Sequence, residues 1–345
     1  MLVNCIGFLD IPCYNNGGFA MKTKILLTGA SGFIGTNLLE DLLKKGYEVL
    51  NIDKAEPKLK KRKNVWKRID ICDYEAFKEA VLEFEPDYIV HLAARTDLDG
   101  KNLNDYSANT VGAENMLKIV QLLPNLKKII ITSSKFVTEN GYKIKNQRDY
   151  CPHTIYGKSK VVTENNVWAN QPQCDWCIIR PTSIWGPWFG VPYRNFFDIV
   201  LKRMYFHIGN IKCHKTYGYV GNAVYQIESL LFTETPDENN KVFYIGDEPA
   251  YEINEWADEI AGELGFKVPT MPVFFVKGLA KFGDFLGKFG IHFPMQSFRY
   301  GNMTHDGIND MTNTFKIAPE MPYTRLQGTK ITLMWLKKME ERKRK

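Results

Sequence analysis

Residues 24–35 read KILLTGASGFIG, and this stretch constrains the chain more than any other. A short apolar run (Ile25, Leu26, Leu27) stops at Thr28. Glycines follow at Gly29, Gly32 and Gly35, and an amphipathic run begins at once (Phe33, Ile34, Leu38, Leu39, Leu42, Leu43). The pattern predicts strand, tight turn and helix. Gly29 takes turn dihedrals closed to other residues, Gly32 lets the backbone approach a pyrophosphate, and Gly35 lets the helix pack near the strand. Phosphates placed there meet free N–H groups and the positive end of the helix dipole. Asp53 ends the next strand-like run, YEVLNI, 18 residues after Gly35. A carboxylate there accepts hydrogen bonds from the adenosine ribose and repels a 2′-phosphate, so the expected cofactor is NAD, not NADP. Lys54, Lys58, Lys60, Lys61 and Arg62 follow closely. They are able to hold a 2′-phosphate, but the plainer reading is a solvated basic loop.

Apolar strand-like runs alternate with helical patterns through the first half. Strands are expected near 24–28, 47–52, 65–69, 88–92, 127–132 and 175–180, and helices near 33–45, 73–83, 103–122 and 154–170. The alternation predicts an α/β fold: a Rossmann-type doubly wound parallel sheet of order 3-2-1-4-5-6 plus an extra strand, with the ligand crevice at the carboxyl ends. After Arg180, Pro and Gly cluster (Pro181, Gly186, Pro187, Gly190, Pro192) and the pattern turns irregular. Strands near 216–220 and 242–245 and helices near 194–204, 222–233, 252–264, 272–288 and 328–341 are expected. The division reads as an N-terminal extension over 1–20, expected to be disordered, a dinucleotide-binding domain over 21–180, and a smaller α/β substrate lobe over 181–345 with segments that return to the sheet. Residues 1–20 lack the charge and cleavage pattern of a signal peptide, and Met21 is an alternative start.

Bulk properties narrow the function. The 345 residues carry a formal net charge of +6, mild for this length, and no basic stripe with interleaved aromatics is present. Nucleic acid is not an expected partner. The basic tail (Arg342, Lys343, Arg344, Lys345) reads as a frayed end. Seven scattered cysteines (5, 13, 72, 151, 174, 177, 213) suit reduced thiols in a cytoplasmic protein. Cys174 and Cys177 form a CxxC without a second pair, so a structural role is expected and no metal site. No apolar run is long enough for a transmembrane helix. The segment 272–293 is rich in Phe and Lys and admits a second reading, an interfacial membrane helix. Gly278, Gly283 and Gly287 favour packing against the lobe instead.

The chemistry is expected after the fifth strand. Ile129–Val137 read IIITSSKFV, which puts Ser133 and Ser134 at the top of the sheet. Tyr156 and Lys160, four apart in YGKSK, share a helix face. An ammonium near a phenol favours the phenolate and is expected to lower the Tyr156 pKa. A tyrosine so tuned moves a proton to or from a substrate hydroxyl, which Ser134 holds, while a nicotinamide takes or gives hydride.

TGASGFIG, Asp53, Asp70, HLAAR at 91–95, the serine pair, YGKSK and RPTSIWGP at 180–187 together resemble the extended short-chain dehydrogenase/reductase family. More narrowly they resemble its NAD-dependent epimerase/dehydratase group acting on nucleotide sugars. The resemblance is strong over about residues 22–235. It implies that the backbone N–H groups of Phe33 and Ile34 meet the pyrophosphate, that Asp70 and Ile71 contact the adenine, and that Ala93, Ala94 and Arg95 line the path to the nicotinamide ribose. It gives Ser133, Tyr156 and Lys160 cofactor contacts and puts Pro181 and Thr182 beside the nicotinamide. Asn109, Gly112 and Asn115 match an NxxGxxN helix. Lys135, Phe136, Asn195 and Arg299 fall on the substrate side. Helices 103–122 and 154–170 match a homodimer-forming pair. Members that eliminate water carry a glutamate two positions after Ser134. This chain has Phe136, an apolar ring that takes no proton, which disfavours 4,6-dehydration. Thr138 and Gly221 also depart from the pattern. The resemblance implies a nucleotide-sugar 4-epimerase with tightly bound NAD. The alternatives are a net dehydrogenase or reductase of a nucleotide sugar or steroid-like secondary alcohol, and a non-catalytic NAD-binding protein.

Overall fold

A computed structural model of the chain describes residues 22–235, 240–291 and 293–343. The expectations for residues 1–20, Met21, Cys5 and Cys13, His292, and Arg344 and Lys345 lie outside the described residues.

The first strand, β1 (Lys24–Thr28), leads through the glycine turn into α1 (Phe33–Lys44). Then follow β2 (Glu48–Ile52), β3 (Trp66–Lys67), α2 (Tyr74–Phe84), β4 (Tyr88–His91) and α3 (Ser107–Val120). The Rossmann half continues with β5 (Lys128–Thr132), α4 (Ile155–Ala169) and β6 (Asp175–Pro181). One further strand, β7 (Val242–Ile245), returns to the sheet. All seven are parallel in the order β7-β6-β5-β4-β1-β2-β3, the expected order with its extra strand. Central β1 pairs Leu26 with Leu50 on one side and Ile89 on the other. Ile25, Leu26 and Leu27 are wholly buried, which is why β1 reads as a continuous apolar run and not an alternating one.

Two expectations shift. The third strand, expected over 65–69, shrinks to two residues because a 3₁₀ turn occupies Lys60–Val65. The helix expected over 103–122 starts at Ser107. Before it, Asn102 and Asp105 form a reciprocal capping box that holds Leu103–Tyr106 in a 3₁₀ turn.

The rest of the chain supplies α5 (Arg194–Leu201), α6 (Val220–Phe232), α7 (Ile253–Glu263), α8 (Val273–Gly287), α9 (Ser297–Thr304), α10 (Thr312–Ile317) and α11 (Arg325–Lys343). Three two-stranded pairs stitch it together: 183–185 with 217–219, 214–215 with 251–252, and 207–208 with 270–271. One core, on the α1/α6 face of the sheet, runs into an aromatic cluster where Trp185 and Trp256 meet tilted at 4.8 Å between centroids. The other lies under α2 and α3. Each fully buried Leu, Ile or Phe in these layers contributes about 1.5–3 kcal/mol.

Candidate active site

The glycine turn does what its sequence requires. Gly29 sits at φ +74, and a Cβ there would lie 2.6 Å from the Ala93 backbone; at Gly35 a Cβ would lie 2.5 Å from the Ala30 Cα. The turn is therefore pressed between β4's exit and α1. Gly32 caps α1 with no side chain, so the N–H groups of Phe33 and Ile34 keep outward bonding capacity. Two side chains from β2 brace the turn. Asp53 Oδ2 accepts from the Ser31 N–H at 3.0 Å, and the buried Asn51 Oδ1 accepts from the Ala30 N–H at 3.1 Å. Asn51 escaped the sequence reading, although a buried Asn in an apolar strand is itself a signal. The end of the basic run is engaged: Arg62 and Lys61 pair with Glu40 of α1, and Lys63 with Glu56. This agrees with the plain reading of that loop.

Along the cofactor path, exposed Asp70 accepts from the Cys72 N–H at 3.0 Å, and buried Ile71 offers its carbonyl to Asn115 at 2.9 Å. The Ala93 N–H donates to Thr28 Oγ1, which bonds His91 Nδ1 at 2.9 Å. Burial, aided by the positive charge of Lys160, pushes His91 down to about 3, so its ring is neutral. Arg95 turns its guanidinium to Asp97 and the Asp105 carbonyl. Its backbone N–H and carbonyl are both held by Asn109, whose Nδ2 also donates to Ser159 of α4 at 2.8 Å. Thr182 anchors to the Ile245 carbonyl just after Pro181.

The predicted catalytic residues converge. The Ser134 hydroxyl accepts from the Phe136 N–H at 3.2 Å and hydrogen-bonds the Tyr156 hydroxyl. Lys160 Nζ donates to the Thr132 carbonyl at 2.8 Å. Ser133 Oγ and Thr132 Oγ1 are buried with no protein partner, two orphaned hydroxyls where a ligand amide or hydroxyl fits. The α4 backbone closes in because a Cβ on Gly157 would lie 2.2 Å from the Phe136 carbonyl oxygen. A buried pair, Arg180 of β6 and Glu164 of α4, fixes the same helix at 2.7 Å.

One electrostatic expectation is corrected. Lys160 does not lower the Tyr156 pKa here. Burial dominates and holds the phenol above its ordinary range, only partly offset by the bond from Ser134. The ammonium is spent on the Thr132 carbonyl and is itself pushed down to about 8 by desolvation.

Beyond Tyr156, Lys135 Nζ donates to Ser183 Oγ at 2.8 Å, and Ser183 bonds the Tyr193 hydroxyl. Burial, with Lys215 as a like charge, pushes Lys135 down to about 8. A cavity of about 230 Å³ opens beside Lys135, walled by Thr138, Tyr244 and residues 307–310. Ser183, Tyr193 and Lys215 were not legible in the sequence, since nothing local links them. Phe136 stacks on His153 and meets Tyr156 edge-on at 5.8 Å. Asn195 and Arg299 are both exposed and do not line the cavity. Cys174 and Cys177 are free, their thiols pushed up to about 11 and 12 by burial, which keeps them from acting as thiolates.

Residues 25–226 match the model of the NAD dependent epimerase/dehydratase family. The chain belongs to this family. NAD is therefore its cofactor, and the uncapped N-terminus of α1, Asp53 and the orphaned hydroxyls fit it. An N-acetyl-alpha-D-glucosaminyl-diphospho-ditrans,octacis-undecaprenol 4-epimerase of Escherichia coli O157:H7 is 29% identical over 325 residues, covering 91% of this chain and 96% of that protein. A 3 beta-hydroxysteroid dehydrogenase/Delta 5-->4-isomerase of Mycobacterium tuberculosis is 28% identical, covering 72% of each. The UDP-glucose 4-epimerase of Thermotoga maritima, solved with UDP-glucose, superposes with a TM-score of 0.68 at 20% identity, over 92% of this chain and all of that one. That likeness is one of fold.

Proposed function

We propose that the protein is an NAD-dependent 4-epimerase of a sugar held on a diphosphate, a nucleotide sugar in the first instance. The observation that carries this is the Ser134–Tyr156–Lys160 cluster with Phe136 where a second base would stand. Ser134 holds the sugar hydroxyl. Tyr156, once ionised, takes that hydroxyl's proton and later returns it. NAD, when bound, would supply a reversible hydride acceptor. The resulting keto-sugar turns over and regains hydride on its other face. With no carboxylate at 136, nothing pulls a proton from the neighbouring carbon, so water is not eliminated. Lys135 lines the cavity with Glu139 and Asp310, so its wall carries both signs of charge. The two epimerases above differ in what their names attach to the diphosphate, a polyprenol or a nucleoside. The sugar diphosphate is the shared chemistry.

The test is incubation with UDP- and GDP-sugars, following 340 nm absorbance and product stereochemistry together. An epimerase inverts C4 with no net NADH. Steady NADH accumulation would favour the dehydrogenase reading that the steroid-enzyme relative suggests. Tyr156→Phe should abolish inversion, by about 10²–10⁴-fold as expected for a lost general base, while NAD stays bound; wild-type turnover in that variant would refute the assignment. The homodimer in this reading forms through the outer faces of α3 and α4, where Val111 is 44% exposed, and a monomeric mass in sedimentation equilibrium would exclude it.

A further inference from the structure

The 272–293 segment does not bury its aromatics against the lobe as the glycines suggested. Only Val276, Ala280 and Gly283 of α8 are buried, packed with Ile208 and Met295. Gly283 is explained by the turn before α9, since a Cβ there would lie 1.9 Å from the Met295 carbonyl oxygen. The opposite face is open. Phe274 is 79% exposed, Phe289 67% and Phe298 of neighbouring α9 77%, with Phe275, Phe282 and Phe285 about half exposed. At helical spacing, residues 274, 282, 285 and 289 fall on one stripe. Lys277, Lys281 and Lys288 are exposed and run along one edge of that stripe, and Arg299 adds a cation on α9. Asp284, the single exposed acid among these helical residues, accepts from the Ser297 N–H.

We propose that the α8–α9 face docks on an anionic lipid bilayer. A contiguous exposed patch of rings is rare on a soluble surface without a partner. Rings bordered by lysines match the interface geometry: the rings enter the acyl boundary while the ammonium groups meet lipid phosphates. A second copy of the chain fits less well, because an antiparallel two-fold pairing of α8 brings the lysine edges face to face. The face is not remote from the site. Three residues after α9 the chain reaches Gly307–Asp310, which wall the cavity beside Lys135, and Ile308 there is 62% exposed. Resting on the epimerase reading, docking opens the site to a sugar diphosphate that carries a lipid in place of a nucleoside.

The test is co-sedimentation of the full chain, loaded with NAD, with vesicles of equimolar phosphatidylcholine and phosphatidylglycerol, against phosphatidylcholine alone. Sedimentation with the anionic vesicles, weakened by salt, is expected. Lys277→Glu/Lys281→Glu/Lys288→Glu should lower partitioning by about a hundredfold or more. Phe274→Ser/Phe282→Ser/Phe285→Ser should lower it more than tenfold without changing NAD binding, which reports the fold. Wild-type partitioning in either variant overturns the proposal. So does an absence of vesicle binding, with or without a concentration-dependent self-association that the Phe variant loses. Tyr156→Phe keeps vesicle binding, so failure of the epimerase reading and failure of docking are read separately.

Discussion

Gly157→Ala separates the geometry of the site from its chemistry. The added methyl would sit 2.2 Å from the Phe136 carbonyl oxygen, which is backbone and has no rotamer to escape into. Relaxing that contact to about 3.3 Å moves the first turn of α4 outward by roughly 1 Å. Tyr156 rides on that turn, one residue away, and its bond to Ser134 must stretch by a similar amount. A misplacement of about 1 Å costs roughly 10²-fold in a reaction that depends on aligned groups. The stability effect is smaller. Overpacking costs about 1–3 kcal/mol, and the gain of Ala over Gly in a helix offsets about 1 kcal/mol. The prediction is a variant that folds, binds NAD and, on the proposed epimerase reading, turns over about a hundredfold more slowly, measured by kcat with an unchanged NAD dissociation constant. Turnover within threefold of the wild type would refute the claim that this contact sets the Tyr156 position.

Two further outcomes follow from buried charge. His91 is held at about 3 when folded and near 6.5 when unfolded, so its folded pKa is depressed. The unfolded chain binds the extra proton below pH 6.5, and stability is full above that value and falls as pH drops toward 3. Between pH 7 and pH 5 the loss is about 2 kcal/mol. Urea titrations should show His91→Gln losing less by that amount over the same interval, and equal slopes would refute the assignment. Arg180→Met strands Glu164, which is wholly buried beside it, and should cost about 3–5 kcal/mol in urea; adding Glu164→Leu should recover most of that, and additive losses would show that the ion pair is not the cause.

Legibility followed sequence distance. The glycine turn, the serine pair and YGKSK are contiguous, and their chemistry depends on neighbours a few residues away, so they could be read directly. Strands β1, β2, β4, β5, β6 and β7 lay within a residue or two of expectation because each is a largely apolar, buried run, whereas half-buried β3 and the two-residue strands of the second half carry no such pattern. What resisted reading joins distant segments. Asn51 braces a turn 21 residues upstream, Asn109 ties the β4 loop to Ser159 fifty residues on, and Ser183 links Lys135 to Tyr193. The Tyr156 pKa failed for a related reason: spacing puts Lys160 on the same helix face, but only the fold says that the ammonium is engaged by Thr132. In α8 the amphipathic pattern was plain, yet periodicity cannot say whether the aromatic face meets protein, lipid or water.

These long links bear on how substrate is chosen. Helix α4 is fixed from three sides: by Arg180 through Glu164, by Asn109 through Ser159, and by the Phe136 backbone against Gly157. Every one of these contacts lies within the Rossmann half, and none involves the residues that wall the cavity at 307–310. The Tyr156–Ser134 geometry is therefore set independently of the far wall, and exchanging that wall should leave it in place. Ile308 stands in that wall, and Gly307 bridges to Lys215 in the backbone. On the proposed epimerase reading, choice of substrate falls to the segment running from α8 through α9 to Asp310. The chemistry and the preference are held by different parts of the chain, which is the physical reason that motifs name the first so readily and the second so poorly.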